Sequence, residues 1–359
     1  MIAPGTAASI RIGARVIGPG RPAYVIAEAG SNHNGDVGVA KELVDAATAM
    51  GCDCIKFQTY TAENFVADRN KQFTYRSQGR DVTESEFDMF KRLEFDRDEW
   101  ADLMAHCVKR GIQFLTTVQD PANLEMMLTL GLQGIKVGSD DFDHLANLRV
   151  YAAAGLPLIV SKGMADLPET DRVLRELREL ARGRLAVLHC VSLYPADPAH
   201  LNIRQLGTLQ MLYPDVVWGF SDHSRGTLAS CIAVALGASI VEKHFTLSHD
   251  LPGPDHWFSM DVPAMKQLVR DIRFTESAMG SGEVSPSAKE LESRPTMRRR
   301  VVAAANLPSG TILDERSATF MRATDGIFLD QWDLIRDKRL AVPKRRHEGI
   351  AMKDIDFSG

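Results

Sequence analysis

The chain lacks any apolar run approaching the roughly 20 residues needed to cross a bilayer. Its opening stretch, Met1 to Gly20, lacks the charged start and continuous apolar core of a signal peptide, so the chain is read as cytoplasmic. Charge bias is also missing. With 42 Lys and Arg against 47 Asp and Glu, the formal net charge is −5, which offers nothing to nucleic acid or an anionic membrane. Cysteines are few and odd in number, at 5. Cys52 and Cys54 are too close for a zinc knuckle, Cys107 and Cys231 fall in helical segments, and Cys190 follows His189. Buried free thiols are the expectation. No G-x-G-x-x-G follows the first candidate strand, which argues against a dinucleotide-binding fold.

What the chain does have is 359 residues with 45% hydrophobic content, enough for one large domain and a small one. From Tyr24 to about Gly280, short apolar runs alternate with helical periodicity. The expected strands are Tyr24–Ala29, Cys54–Tyr60, Ile112–Val118, Gly134–Gly138, Leu156–Ser161, Leu185–Val191, Val216–Phe220 and Ile240–Phe245. Amphipathic stretches such as Val39–Met50, Asp98–Arg110, Leu167–Ala181 and Ile203–Tyr213 lie between them, and Met260–Met279 closes the series. Several runs are continuously apolar, as parallel strands buried on both faces should be. An α/β fold follows, a (β/α)8 TIM barrel over residues 1–280.

Thr61–Phe95 is too long for an ordinary βα loop and is polar, so it reads either as a lid or as a surface insertion with a short helix. Residues 281–297 read as a Ser/Pro-containing linker, and residues 298–359 as a small β-rich domain with a marginal core. The run Arg298-Arg299-Arg300 reads as a solvated or interface cluster.

Polar residues gather where the strands end. Ser221-Asp222-His223 and Glu242-Lys243-His244 each close an apolar run, separated by the helix-sized segment Gly226 to Leu236. One histidine is ordinarily a core residue. Two at equivalent strand ends, each beside a carboxylate, can converge on one divalent metal in the barrel mouth. Lys56 and Lys136 lie inside apolar strands, where a charge is costly without a partner. An anion in the mouth, phosphate or carboxylate, would meet them, and so would buried salt bridges to Glu28 or Glu242. Imidazole, carboxylate and water suit Mn²⁺, Fe²⁺ or Co²⁺ better than a closed zinc site.

The order of the motifs resembles the sialic acid synthase family. The matching stretches are Ile26–Asp36, Ile55–Thr59, Lys136–Ser139, Leu188–Pro195, Phe220–His223, Glu242–Leu247 and Pro252–His256. The tail from Arg299 resembles the family's antifreeze-like (SAF) domain. That resemblance implies condensation of phosphoenolpyruvate with the open-chain aldehyde of an N-acylated hexosamine, giving a nine-carbon 2-keto acid and phosphate. By it, His223 and His244 bind the metal, usually manganese with Mg²⁺ or Co²⁺ as alternatives, and Glu28 helps a water to add. Lys56, Thr117, Lys136, Ser139, Ser161, Ser192 and Ser221 then hold phosphoenolpyruvate. Gln58, Asp141, Tyr194, Asp255 and Arg322 are placed near the sugar, Arg322 reaching a partner's site in a domain-swapped homodimer.

Departures from the family pattern gather around the sugar. Lys162 stands where threonine is usual and would add a cation beside the anion site, and Trp257-Phe258 replaces Lys-Ala. N-acetylmannosamine or a diacetamido-dideoxyhexose are the expected acceptors. Two other readings stay open: a related 2-keto-3-deoxy acid synthase or aldolase acting on a phosphorylated sugar, and a sugar- or ice-binding module that has lost catalysis.

Overall fold

The computed structural model describes residues 8–358, so the first seven residues of the Met1–Gly20 stretch lie outside it. The chain divides into two compact units, Met1–Gly280 and Ser281–Gly359. Among the described residues, no helix is long and apolar enough to cross a membrane.

In the first unit eight parallel strands close into a barrel. They are β1 (Tyr24–Gly30), β2 (Cys54–Thr59), β3 (Gln113–Val118), β4 (Ile135–Val137), β5 (Leu158–Ser161), β6 (Leu185–Cys190), β7 (Val217–Asp222) and β8 (Ile240–His244). Each pairs with its sequence neighbour, and β8 pairs back onto β1. This is the expected (β/α)8 barrel. Helices take hold where the sequence supplies caps. Asp36 accepts the N–H groups of Gly38 and Val39 ahead of helix Val37–Met50, and Asp96 and Asp166 form capping boxes before Arg97–Arg110 and Leu167–Ala181.

Side chains alternate along each strand, and the parity divides the barrel. Val25, Ile55, Phe114, Val187, Phe220 and Val241 turn outward into the layer beneath the helices. Tyr24, Ile26, Leu115, Ile159, Leu188 and Ile240 turn inward and fill the lower half of the barrel. An amino-terminal ribbon, Ile10–Ile12 paired with Arg15–Ile17, adds Ile10, Ile12 and Ile17 to that inner cluster. Gly219 allows the inner packing, since a Cβ there would lie 2.6 Å from both Leu188 Cδ2 and the Ile240 carbonyl oxygen.

The Thr61–Phe95 insertion is more ordered than a loop. Gln72–Ser77 and Arg80–Ser85 pair antiparallel across a two-residue turn, Gln78-Gly79, with φ of 52° and 77°. Positive φ at both positions marks a type I′ turn. Helix Glu86–Leu93 follows, and Phe73, Tyr75 and Phe90 pack on Tyr60, Met89 and Leu93 as a small separate core.

In the second unit the expected linker is partly helical. Ala288–Met297 forms a helix behind a Ser287–Glu290 capping box, with none of its residues buried. Arg300–Ala303 pairs with Ala318–Met321, and Arg339–Leu340 with Ile355–Asp356. Val301, Leu313, Ile335, Leu340 and Ile350 centre its core. Arg298 and Arg299 are exposed, while Arg300 stacks on Phe328 at 4.2 Å.

Candidate active site

Two residues beyond the inner apolar layer, the same strand faces become polar. Ile26 is followed by Glu28, Cys54 by Lys56, Leu115 by Thr117, Ile159 by Ser161, Gly219 by Ser221, and Ile240 by Glu242 and His244. These line one cavity of about 580 Å³ at the carboxyl ends of the strands. That size and place suit a small-molecule site.

The floor is a buried charge quartet. Lys56 Nζ lies 2.7 Å from Glu28 Oε2 and 3.8 Å from Glu242 Oε2, and Lys136 Nζ lies 3.7 Å from Glu242 Oε1. Ser221 Oγ donates to Glu242 Oε1 at 2.9 Å. Lys56 donates to Thr117 Oγ1 at 2.8 Å, and Lys136 to Ser161 Oγ and the Val137 carbonyl at 2.9 Å each. Strand register explains the grouping, since Glu28 pairs laterally with His244 on one side and Lys56 on the other. The lysines therefore meet protein carboxylates, and the floor carries no surplus positive charge of its own. Both readings offered for them, ion pairing and an anion site, have to share these groups.

The two carboxylates are driven apart. Burial pushes Glu28 up to about 7, against the pull of Lys56 and aided by Glu242. Burial would raise Glu242 as well, but Lys136 and Lys56 outweigh it and hold that carboxyl below the usual range. One group that can exchange a proton near neutrality thus sits beside one that stays ionised.

His223 and His244 face each other with ring centroids 5.4 Å apart. His223 Nδ1 contacts the Val191 carbonyl at 2.7 Å, a bond in which the ring must donate, so Nε2 carries the lone pair, with Ser221 Oγ at 3.5 Å and Cys190 Sγ at 3.9 Å beside it. His244 Nδ1 is buried without a hydrogen-bond partner, its nearest carboxylate being Asp255 at 3.9 Å. Burial lowers both imidazoles, His223 to about 4 and His244 well below its ordinary value. They are neutral at pH 7 and are the residues here that could hold a divalent cation. Among the described residues no third His, Cys, Asp or Glu completes a protein-only ligand set.

Of the expected site residues, Glu28, Lys56, Gln58, Thr117, Lys136 and Ser139 border the cavity, as do Ser161, Ser192, Tyr194, Ser221, His223, His244 and Asp255. Asp141 does not. It turns toward His144, 3.7 Å away, and Asp140 borders the cavity in its place, because the chain leaves strand parity in the turn after β4. Arg322 belongs to the second unit, exposed just after strand Ala318–Met321. Lys162, one residue past inward-facing Ser161, does not border the cavity and donates to the Ala165 carbonyl at 3.0 Å. Of the carboxylates beside the two histidines, only Glu242 faces in. Asp222 pairs with Lys243 at 2.9 Å outside the barrel and accepts from Ser224 and Ser230.

The mouth is framed by aromatic rings and by loops tied to each other. Tyr194 stacks on His223 at 4.1 Å, and Phe258 lies 5.1 Å from His244. Asn32 Nδ2 donates to the Phe245 carbonyl, and His256 is held by Thr246 Oγ1 at 2.7 Å and Asn34 Oδ1 at 3.3 Å. Asn32 and His256 therefore fasten the rim, while Asp255 faces the cavity and is raised to about 6 by burial. Sequence reasoning missed Cys190 and Asp140, and it does not single out Phe73–Arg76 within the insertion it reads as a lid or surface segment, though all of these border the cavity. The inward parity of Leu188 and Cys190 and the Gln-Gly turn were the available signals.

The NeuB family profile matches residues 43–284. The chain is similar to the N,N'-diacetyllegionaminic acid synthase of Legionella pneumophila, 36% identical across 89% of this chain and 90% of that one. It is similar to human N-acetylneuraminate-9-phosphate synthase, 33% identical across 83% of each. Among solved structures it resembles the N-acetylneuraminic acid synthetase of Leptospira borgpetersenii serovar Hardjo-bovis, determined with citrate, at a TM-score of 0.73. That match is 30% identical and covers 80% of this chain and 95% of the other. A closed barrel with this mouth and a profile match over most of that barrel lead to one conclusion: the chain belongs to the NeuB family, alongside synthases of the sialic acid type.

Proposed function

We propose that the barrel cavity condenses phosphoenolpyruvate with the open-chain aldehyde of an N-acylated hexosamine, N-acetylmannosamine or a diacetamido-dideoxyhexose, giving a nine-carbon 2-keto acid and phosphate. The observation that carries this reading is the buried Glu28–Lys56–Glu242–Lys136 quartet lying beside two neutral imidazoles in one cavity. The printed names of the relatives support the product class.

Lys56 and Lys136, with Thr117, Ser139, Ser161, Ser192 and Ser221, bind and orient phosphoenolpyruvate. Gln58, Tyr194 and Asp255 position the acceptor so that its aldehyde carbon meets the enol carbon. Glu28 accepts a proton from the water that adds at the enol-phosphate carbon. The carbon–carbon bond forms, the new hydroxyl takes up a proton, and the carbon–oxygen bond to phosphate breaks with release of that group.

A divalent metal fits His223 and His244, since both are neutral, one presents the lone pair of Nε2 and the other an unpartnered buried Nδ1. Manganese is the first choice, and the metal supplies Lewis-acid polarisation of the aldehyde. The charge balance of the floor favours it too, because phosphoenolpyruvate brings negative charge that two already paired lysines do not offset. The second unit is read as an antifreeze-like (SAF) domain, with Arg322 of one copy serving the site of its partner in a domain-swapped homodimer.

The test is phosphate release from phosphoenolpyruvate with Mn²⁺ and a panel of free and 6-phosphorylated hexosamines. Release dependent on one free N-acyl sugar, and abolished by a chelator, is the expected result. Release only with a phosphorylated sugar would move the protein to the related 2-keto-3-deoxy acid synthases. Sedimentation of the full chain checks the dimer, and Arg322→Ala should raise the acceptor KM.

A further inference from the structure

The ribbon Gln72–Ser77/Arg80–Ser85 is fastened across the mouth. Gln78 Nε2 donates to the Asp250 carbonyl at 2.9 Å, and Ser77 Oγ accepts the Gly253 N–H at 3.1 Å. Both partners lie in the segment that carries Asp255, Trp257 and Phe258 to the cavity. Gly253 has φ of 144°, and a Cβ there would meet the His256 ring at 2.8 Å and Asn34 Oδ1 at 2.9 Å, so this anchor point is fixed.

Four consecutive ribbon residues, Phe73, Thr74, Tyr75 and Arg76, border the cavity. Successive strand side chains point to opposite faces, so a strand that lines a cavity with both faces presents its edge to it. That edge is free, since Gln72–Ser77 pairs only with Arg80–Ser85 among the described residues. Ser77 and Arg80 flank the two-residue turn and exchange hydrogen bonds, as do the pairs at Tyr75 and Phe73. The N–H and C=O groups of Thr74 and Arg76 therefore turn outward along the free edge.

Arg76 is also the one arginine bordering the cavity, exposed and without a salt bridge among the described residues. Phe73 and Tyr75 on the ribbon and Trp257 and Phe258 opposite supply apolar walls. Alternating backbone donors and acceptors, one guanidinium and aromatic walls match an amide with a methyl group. They match a phosphate poorly, because a single exposed cation flanked by rings leaves a dianion under-coordinated.

We infer that the free edge of this ribbon, at Thr74 and Arg76, forms a subsite for a second acylamino group on the acceptor, farther from its aldehyde than the first. The inference rests on the synthase reading and selects the diacetamido sugar over the monoacetamido one. Glu28 and His223 are buried and His244 only partly exposed, whereas the ribbon stands at the exposed rim, which sets the direction of the acceptor in the cavity.

Calorimetry on the full chain, with phosphoenolpyruvate and a chelator present, reads sugar binding without turnover. Wild type is expected to bind 2,4-diacetamido-2,4-dideoxymannose, which differs from N-acetylmannosamine only at C4, about tenfold or more tightly than that sugar, the size of one well-made polar contact. In Arg76→Ala the gap should shrink to about twofold, with Arg76→Lys recovering only part of it, since a point charge cannot replace the planar fork. Ser77→Ala, which releases one anchor of the ribbon, should narrow the gap as well. Equal binding of the two sugars by wild type, or a gap that survives in Arg76→Ala, overturns the subsite. So does tightest binding of N-acetylmannosamine 6-phosphate with that preference lost in Arg76→Ala. A gap that behaves as expected without phosphate release when Mn²⁺ is restored would uphold the subsite and sink the synthase reading.

Discussion

The lower and upper halves of the barrel interior are built by the same strands, two residues apart, and obey opposite rules. Below, Tyr24, Ile26, Leu115, Ile159, Leu188 and Ile240 interlock with the amino-terminal ribbon in a layer that carries no charge and is apolar apart from the unpartnered Tyr24 hydroxyl and the Cys54 thiol. Above, Glu28, Lys56, Lys136 and Glu242 are equally buried yet charged, and His244 Nδ1 and Glu242 Oε2 have no hydrogen-bond partner. Burying charge and leaving polar atoms unmatched opposes folding. The lower layer holds the barrel closed while the upper one keeps groups poised for chemistry, the trade expected at a functional site.

The contrast can be broken most sharply at the histidines. His223→Ala or His244→Ala should cut Mn²⁺-dependent phosphate release by about a hundredfold or more, while circular dichroism shows an intact fold and the melting point hardly moves. Glu28→Gln comes next, with kcat falling by about 10²–10⁴-fold. Its stability should show the sign of a raised carboxyl. A folded value of about 7 against 4.5 for the free group means ionisation is resisted by the fold, so stability is lost as pH rises from about 4.5 through 7. The variant is spared that loss, and its melting point at pH 8 should match or exceed that of wild type.

In the lower layer the pattern inverts. Ile26→Ala or Leu188→Ala should cost about 2–5 kcal/mol of stability in a denaturant titration and leave both KM values within about twofold. A large KM change there would show that the two layers are not separable.

The smallest effect concerns His33, buried against Phe95 at 4.1 Å and accepting the Gly35 N–H at Nδ1. Burial lowers its imidazole to about 4 from 6.5, so it stays neutral in the fold. Stability should be intact above pH 6.5 and decline as pH falls toward 4, by about 2 kcal/mol at pH 5. Denaturant midpoints at pH 7 and pH 5 should lie closer together in His33→Asn.

Much of this was legible along the chain. Continuous apolar runs with helices between them located all eight barrel strands, and the polar residues at their ends located the mouth. Reading inward and outward faces was harder. Asp222 and Glu242 stand in equivalent triplets, yet Asp222 lies one residue past inward-facing Ser221 and turns out to Lys243. Lys162 follows Ser161 in the same way. Asp141 sits in a turn where strand parity no longer holds. The insertion reads as a lid or a surface insertion, but its two paired strands are not legible, because Gln-Gly is a weaker turn signal than Asn-Gly and its aromatic residues pack on a helix further along the chain.

The sequence alone determined the alternation of elements, the closed parallel sheet and the residue types at each strand end, because these depend on local periodicity and on spacing of a few residues. Only the tertiary structure decided that the lysines would be neutralised by Glu28 and Glu242, that Asp222 would serve the exterior, and that the ribbon would be tied to the Asp250–Gly253 segment. Those outcomes depend on which side chains meet across strands and loops far apart in sequence, Ser77 and Gly253 being 176 positions apart and Lys56 and Glu242 further still, and no local pattern encodes such meetings.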